Sequence, residues 1–391
     1  MISIPLYIVL KQFYTRDSGS MQVADILIAL FSITSLTVFI RKTKTVSKTY
    51  RYAINMFYFA LYAIAINLIQ MCIEGIKSNV NLSIMGFLNS NIYLIFNCLV
   101  IIHCTVMYEL SQARFLRYLR NGVIVSCLLL FINVSLNAVS GRRNIGGFNS
   151  PNQLAIYAIC IETLSICLFW PHNKKLFLGV SLATIYCILL SLSRGGMIAI
   201  FLLIGMTIFL AKQQALSNWR KSIITKVLVL SIVVYAIYFV FYDTRFALNF
   251  DLIRSVRFRM LSLDDQMGSL GDTRGYARVF DLNLNAIWGM GEGAMYRYST
   301  FYKGEAHSLL VTILCSYGMI GVVLFIRLIF SNSELKAKNI ARLLILMSGI
   351  MLFSLSHNSI RNPIMWMSFF LANQLQITEK NNSYDIKPAC T

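Results

Sequence analysis

The sequence predicts an all-α polytopic membrane protein of about eleven or twelve transmembrane helices with one large extramembrane loop. Three observations carry this reading. Hydrophobic residues make up 57% of the 391 positions and charged residues only 13%, with a mean hydropathy of +0.65. Soluble globular chains hold about 45–50% apolar and about 25% charged residues. The apolar residues gather into runs close to the roughly 20 residues that cross a bilayer. The formal charge of +19 concentrates in alternate connections, as the positive-inside bias requires. Together these exclude a soluble enzyme, a disordered chain and a nucleic-acid binder.

The runs fall at 21–40, 52–73, 83–108, 121–138, 152–170, 176–193, 195–211, 223–242, 308–330, 341–356 and 362–376. A further apolar stretch, 1–10, is broken by Pro5 and ended by Lys11. It is short for a span, and no small-residue cleavage site follows, so a removed signal peptide is not expected. The nine cysteines, such as Cys98, Cys160, Cys187 and Cys315, lie mostly inside apolar runs and read as small buried hydrophobes.

The connections sort by charge. Residues 41–51 carry Arg41, Lys42, Lys44, Lys48 and Arg51 without an acid. Residues 109–120, 171–175, 212–226 and 331–342 are also net basic, and the bias places them in the cytoplasm. Four connections then fall on the opposite face: 139–151, the turn near 194, the segment 243–306 and 357–361. The segment 243–306 is 64 residues long and holds eight basic and eight acidic residues, so the whole +19 lies outside it. A loop of this length is expected to carry structure of its own. Residues 276–288 have helical spacing and are expected to lie on the membrane surface. The chain divides into N-terminal transmembrane helices (1–140), a core (141–376) that includes the loop, and a cytoplasmic tail (377–391).

Several polar elements could carry chemistry. Ser193-Arg194-Gly195-Gly196 joins two apolar runs with almost no polar spacer. An arginine there either anchors the boundary or clamps phosphate, since guanidinium offers a planar fork of donors. Asn149-Ser150-Pro151-Asn152 opens the run at 152 and reads first as a helix start. Arg142 and Arg143 precede it on the face that normally lacks positive charge. Gly289-Met290-Gly291-Glu292-Gly293 is neither a dinucleotide fingerprint nor a Walker loop, and means a sharp bend or a close backbone approach. His307 and His357 are the two histidines on the external face. An imidazole there suits a general base or an interfacial residue with a water partner. No His/Cys cluster has metal-ligand spacing, so neither a metal nor another cofactor is expected. Acids within spans are few, Asp25 and Glu162. Polar groups gathered at one face favour chemistry on a lipid-linked substrate over transport through the bundle.

These pieces resemble the bacterial O-antigen ligase/polymerase (Wzy/WaaL) superfamily. The resemblance rests on Leu192-Ser193-Arg194-Gly195-Gly196 and on Gly146-Gly147-Phe148-Asn149-Ser150-Pro151-Asn152. It continues through Arg274 upstream of the glycine stretch 289–293, then Glu305-Ala306-His307-Ser308 with Gly318 and Gly321 beyond. It covers roughly residues 140–330. The family often has a proline before the glycine triplet, where Trp288 stands here.

The resemblance implies a metal-independent glycosyltransferase of the GT-C class at the periplasmic face of the inner membrane. Its donor would be an undecaprenyl-diphosphate-linked oligosaccharide. Its surroundings would be membrane lipid, with a chain-length regulator as a further partner. His307 would be the base, and Arg194 and Arg274 would hold the diphosphate. Tyr276, Arg278, Glu292, Arg142 and Arg143 are secondary substrate-binding candidates, with the register of Arg274 against Arg278 open. The acceptor would be another lipid-linked repeat unit in a polymerase, or lipid A-core in a ligase. Glu-Ala-His-Ser around the base and the compact loop favour polymerase. A lipid-linked glycan flippase is the alternative of another class.

Overall fold

A computed structural model describes residues 1–15, 22–42, 48–76, 84–138, 142–170, 173–215, 256, 275–292, 306–331 and 337–385. The apolar runs become helices because a backbone in lipid must satisfy its hydrogen bonds internally. Along the chain they are α1 (Ser3–Leu10), α2 (Val23–Lys42), α3 (Arg51–Ile76), α4 (Ile84–Leu110), α5 (Gln112–Leu136) and α6 (Pro151–Phe169). Then follow α7 (Lys174–Ser191), α8 (Arg194–Ala215), α9 (Leu309–Ile329), α10 (Ala337–Ser356) and α11 (Pro363–Asp385). The described residues contain no strand. Ten of the eleven expected runs coincide with these helices. The run at 223–242 lies outside the described residues, as does most of the loop 243–306.

Seven of the described helices are long and apolar enough to cross a membrane, and two shorter apolar stretches lie at Arg194–Ile208 and Ile340–Ser356. Ile26, Leu30, Ile33 and Ile40 stand exposed along α2. Such a face needs a lipid solvent rather than water. The chain is therefore a multi-pass membrane protein. Its centre is α6, whose side chains from Leu154 to Phe169 are all buried and which packs against α5, α7, α8, α10 and α11.

Local sequence sets the helix starts. Ser150 caps α6 by accepting from the Gln153 N–H at 3.2 Å, with Pro151 at the first helical position. Asn173 caps α7 through the Leu176 N–H at 3.1 Å. Between α7 and α8 the chain turns on Leu192, which takes a left-handed conformation (φ 49°). Ser193 then starts α8, its carbonyl accepting from the Met197 N–H at 2.9 Å.

The stretch 1–10 is not a span. Eight helical residues reach only about 12 Å. α1 instead packs on α5, where Gly122 admits Pro5: a Cβ at Gly122 would stand 2.6 Å from the Pro5 Cβ. The Tyr157 hydroxyl donates to the Ile8 carbonyl at 2.7 Å, and the Tyr14 N–H donates to the Gly147 carbonyl at 2.9 Å. The segment thus ends with Lys11 and Tyr14 set beside the 146–153 element.

The glycine stretch is both a bend and a close approach. α9 breaks at Gly318 (φ 65°, ψ −168°). The Met290 and Gly291 N–H groups donate, at 2.9 Å each, to the Cys315 and Ser316 carbonyls beside the break. A Cβ on Gly289 or Gly318 would collide with the opposing backbone. On the α3 side, Tyr62 and Gln70 donate at 2.9 Å to the Trp288 and Gly289 carbonyls. Gly318→Ala is expected to cost at least about 1–3 kcal/mol from backbone strain alone. Thermal unfolding in detergent would read this as a lowered midpoint, and an unchanged midpoint would contradict the docking.

Candidate functional site

Four sequence-distant connections meet at one end of the bundle. The Ser193 hydroxyl donates to Asn152 Oδ1 at 3.2 Å, and Arg143 Nη2 donates to the same oxygen at 3.0 Å. Arg143 Nε also reaches the Ser191 carbonyl at 3.3 Å, and the Asn144 N–H donates to the Leu190 carbonyl at 3.0 Å. The element 142–152 and the α7–α8 turn are therefore knitted together. Gly195 faces the end of α10: a Cβ there would stand 2.9 Å from Ser356 Oγ and 3.6 Å from His357 Cε1. Only glycine fits so close a passage without a shift.

A cavity of about 370 Å³ opens at this end. His307 and His357 line it, with Asn152 and Gln153 from the start of α6 and Arg361 from the α10–α11 connection. Lys11 and Tyr14 close it from the turn after α1, and Tyr93 from α4. His307 is exposed and stands one residue before Ser308, the cap of α9. His357 stacks on Phe353, with ring centroids 4.4 Å apart, and its Nδ1 is 2.8 Å from Ser356 Oγ.

The expected site residues distribute unevenly. His307 is in the cavity wall. Arg194 is the first residue of α8, half-buried, and adjacent to Gly195 where the turn abuts His357. Arg143 reaches the wall through Asn152, while Arg142 is exposed beside it. Tyr276 begins a 3-10 turn (Tyr276–Asp281), and its hydroxyl donates to the Leu355 carbonyl at 2.5 Å, tying the loop to the end of α10. Arg278, in the same turn, is buried and lies against Gly275, which itself approaches Ala306 beside His307. The outer face of this segment exposes Phe280 at 87% and Leu284 at 74%. An apolar face of that kind suits a bilayer surface. Arg274 lies outside the described residues.

Glu292 faces Arg361. Its Oε1 accepts from the Tyr317 hydroxyl at 2.9 Å and its Oε2 from Arg361 Nη2 at 3.3 Å, while its N–H donates to Asn67 Oδ1 at 2.8 Å. It stands behind the cavity wall and aims the arginine that forms it. Arg361 and Lys11 were not among the sequence candidates. Lys11 ends a stretch too short for a span, and Arg361 is a single charge in a five-residue connection. Burial pulls the Lys11 ammonium below the ordinary lysine range, while the Asp25 charge and hydrogen bond act upward. Burial raises the Tyr14 hydroxyl, and the Asp25 charge adds to the shift.

Fold and site together define a multi-pass membrane protein with a polar cavity at one end of the bundle, lined by His307 but by none of the other expected site residues among those described. Residues 179–326, from α7 through α9, match the family model of the O-antigen ligase, which supports the O-antigen ligase/polymerase superfamily for this chain. No curated protein matches it. That match supports a membrane enzyme of surface-polysaccharide assembly, of the glycosyltransferase-like ligase and polymerase kind.

Proposed function

We propose that the chain is a metal-independent glycosyltransferase that joins undecaprenyl-diphosphate-linked repeat units at the periplasmic face of the bacterial inner membrane. The observation that supports this is the shared cavity wall of His307 and the 146–153 element, with the turn of Arg194 lying behind that wall, bonded to Asn152 and abutting His357. An acceptor hydroxyl attacks the anomeric carbon of the donor sugar. The bond from that carbon to the diphosphate oxygen breaks, and undecaprenyl diphosphate leaves. His307 takes the hydroxyl proton as the new bond forms, a role typically contributing about 10²–10⁴-fold. Negative charge grows on the leaving diphosphate, where Arg194, Arg274 and Arg278 are the candidate donors. Arg142, Arg143 and Tyr276 extend the binding surface, and Glu292 acts through Arg361.

Polymerase is the preferred branch, from Glu305-Ala306-His307-Ser308 and the compact loop. The second reading is ligation to lipid A-core, favoured by the family description itself. The glycan ladder of a strain lacking the gene separates them. Loss of a polymerase leaves single repeat units on lipid A-core. Loss of a ligase leaves polymer on the undecaprenyl carrier. An unchanged ladder would count against both branches.

A further inference from the structure

Two ion pairs back the cavity, and both are turned the same way. Lys11 Nζ lies 2.7 Å from each carboxylate oxygen of Asp25. Asp25 is 1% exposed and also accepts from the Tyr7 hydroxyl and the Gln22 N–H, both at 2.9 Å. Arg361 contacts Glu292 at 3.3 Å, with 30% of the arginine side chain exposed against 5% of the glutamate's. In each pair the cation lines the cavity and the carboxylate stands behind it. Each pair is neutral as a whole but acts as a dipole with its positive end at the wall. Burying these acids requires cations as partners. It does not require both cations to face the same polar cavity.

The rest of the wall suits a sugar. Tyr14 lies under Lys11 at 5.3 Å and Tyr93 under Arg361 at 6.0 Å, each measured to the ring centroid. The two rings hold the cations in place at the wall, while the amides of Asn152 and Gln153 offer donors and acceptors to hydroxyls.

We propose that this cavity seats a sugar bearing an oxyanion, a carboxylate or phosphate substituent, which Lys11 and Arg361 contact together. The proposal rests on the glycan-transfer reading and specifies its substrate as an acidic glycan. The lipid carrier's diphosphate is the competing source of negative charge, and the test separates the two.

The full-length protein in nanodiscs is given three probes. They are the oligosaccharide released from the host's own polymer, the same oligosaccharide with carboxylates reduced to alcohols and phosphates removed, and undecaprenyl diphosphate without sugar. Wild type is expected to bind the first at least about tenfold more tightly than the second. Arg361→Gln combined with Glu292→Gln removes both ends of one pair and leaves no orphaned charge. It is expected to lose that preference while keeping its affinity for undecaprenyl diphosphate. Lys11→Met with Asp25→Asn makes the same test at the other pair, and circular dichroism establishes which variants fold. A host polymer without acidic groups, no binding of the released oligosaccharide, equal binding of the first two probes, or loss confined to undecaprenyl diphosphate would each overturn the proposal. An unaltered glycan ladder in the deletion strain counts against glycan transfer instead, so the two failures are distinct.

Discussion

His307→Ala is expected to slow glycan transfer by about 10²–10⁴-fold while leaving affinity for the lipid-linked donor nearly unchanged. A base acts on the acceptor proton, not on the diphosphate, so kcat should fall with little change in donor binding. His307 is exposed in the cavity and held at the start of α9 by the neighbouring cap Ser308. The second histidine of the cavity provides the comparison. His357 is fixed by its stack on Phe353 and its contact with Ser356. Transfer assays on both alanine variants in purified, folded protein decide the assignment. Near-normal turnover of His307→Ala would return that residue to an interfacial role.

Arg194→Ala is expected to weaken donor binding and also to slow transfer, by an amount near the roughly 2.7–4 kcal/mol typical of one lost electrostatic contact. The diphosphate is charged before the transition state and gains charge within it, so both steps feel the loss. Arg194 stands at the first position of a 22-residue helix, where a cation opposes the helix dipole at a typical cost of about 0.3–1 kcal/mol. The same amino-terminal partial charge favours an anion. Arg194→Lys should rescue only in part, because it keeps the charge and loses the planar fork. Donor-binding and turnover measurements on both variants test this. Equal loss in alanine and lysine variants would remove the guanidinium geometry from the account, and no loss in either would remove Arg194 from the site.

Much of this architecture is legible in the sequence because lipid leaves the backbone few choices. Runs of apolar residues become helices, and Ser150-Pro151 marks the start of α6 with ordinary capping chemistry. The glycine stretch 289–293 also announces itself, since sharp bends and close approaches both need missing side chains. What it approaches is not legible. The break at Gly318 is set by a tertiary contact, with Met290 and Gly291 taking up the carbonyls of Cys315 and Ser316. The partnership of Glu292 with Arg361 is hidden for the same reason, since 69 positions separate the two. The role of residues 1–15 was hidden by length: an eight-residue helix, which runs through Pro5 in its first turn, has no span signal. It depends on Gly122 and Tyr157, which lie inside two other helices. Charge alternation set His307 and the turn of Arg194 on one face, and only the family resemblance gave them a shared role; His307 lines the cavity and Arg194 stands behind its wall. Composition and spacing alone left both residues with plain interfacial readings.

Glycan transfer from a diphosphate-linked lipid can be followed in a purified system. The most direct measurement is reconstitution of the purified protein with undecaprenyl-diphosphate-linked repeat units as the sole glycan. Released undecaprenyl diphosphate and lengthened lipid-linked glycan are then quantified together. A polymerase is expected to release one carrier for each glycosidic bond formed. A ligase is expected to show the same one-to-one release once lipid A-core is added. No release with either acceptor, from protein that remains folded, would contradict glycan transfer by this chain.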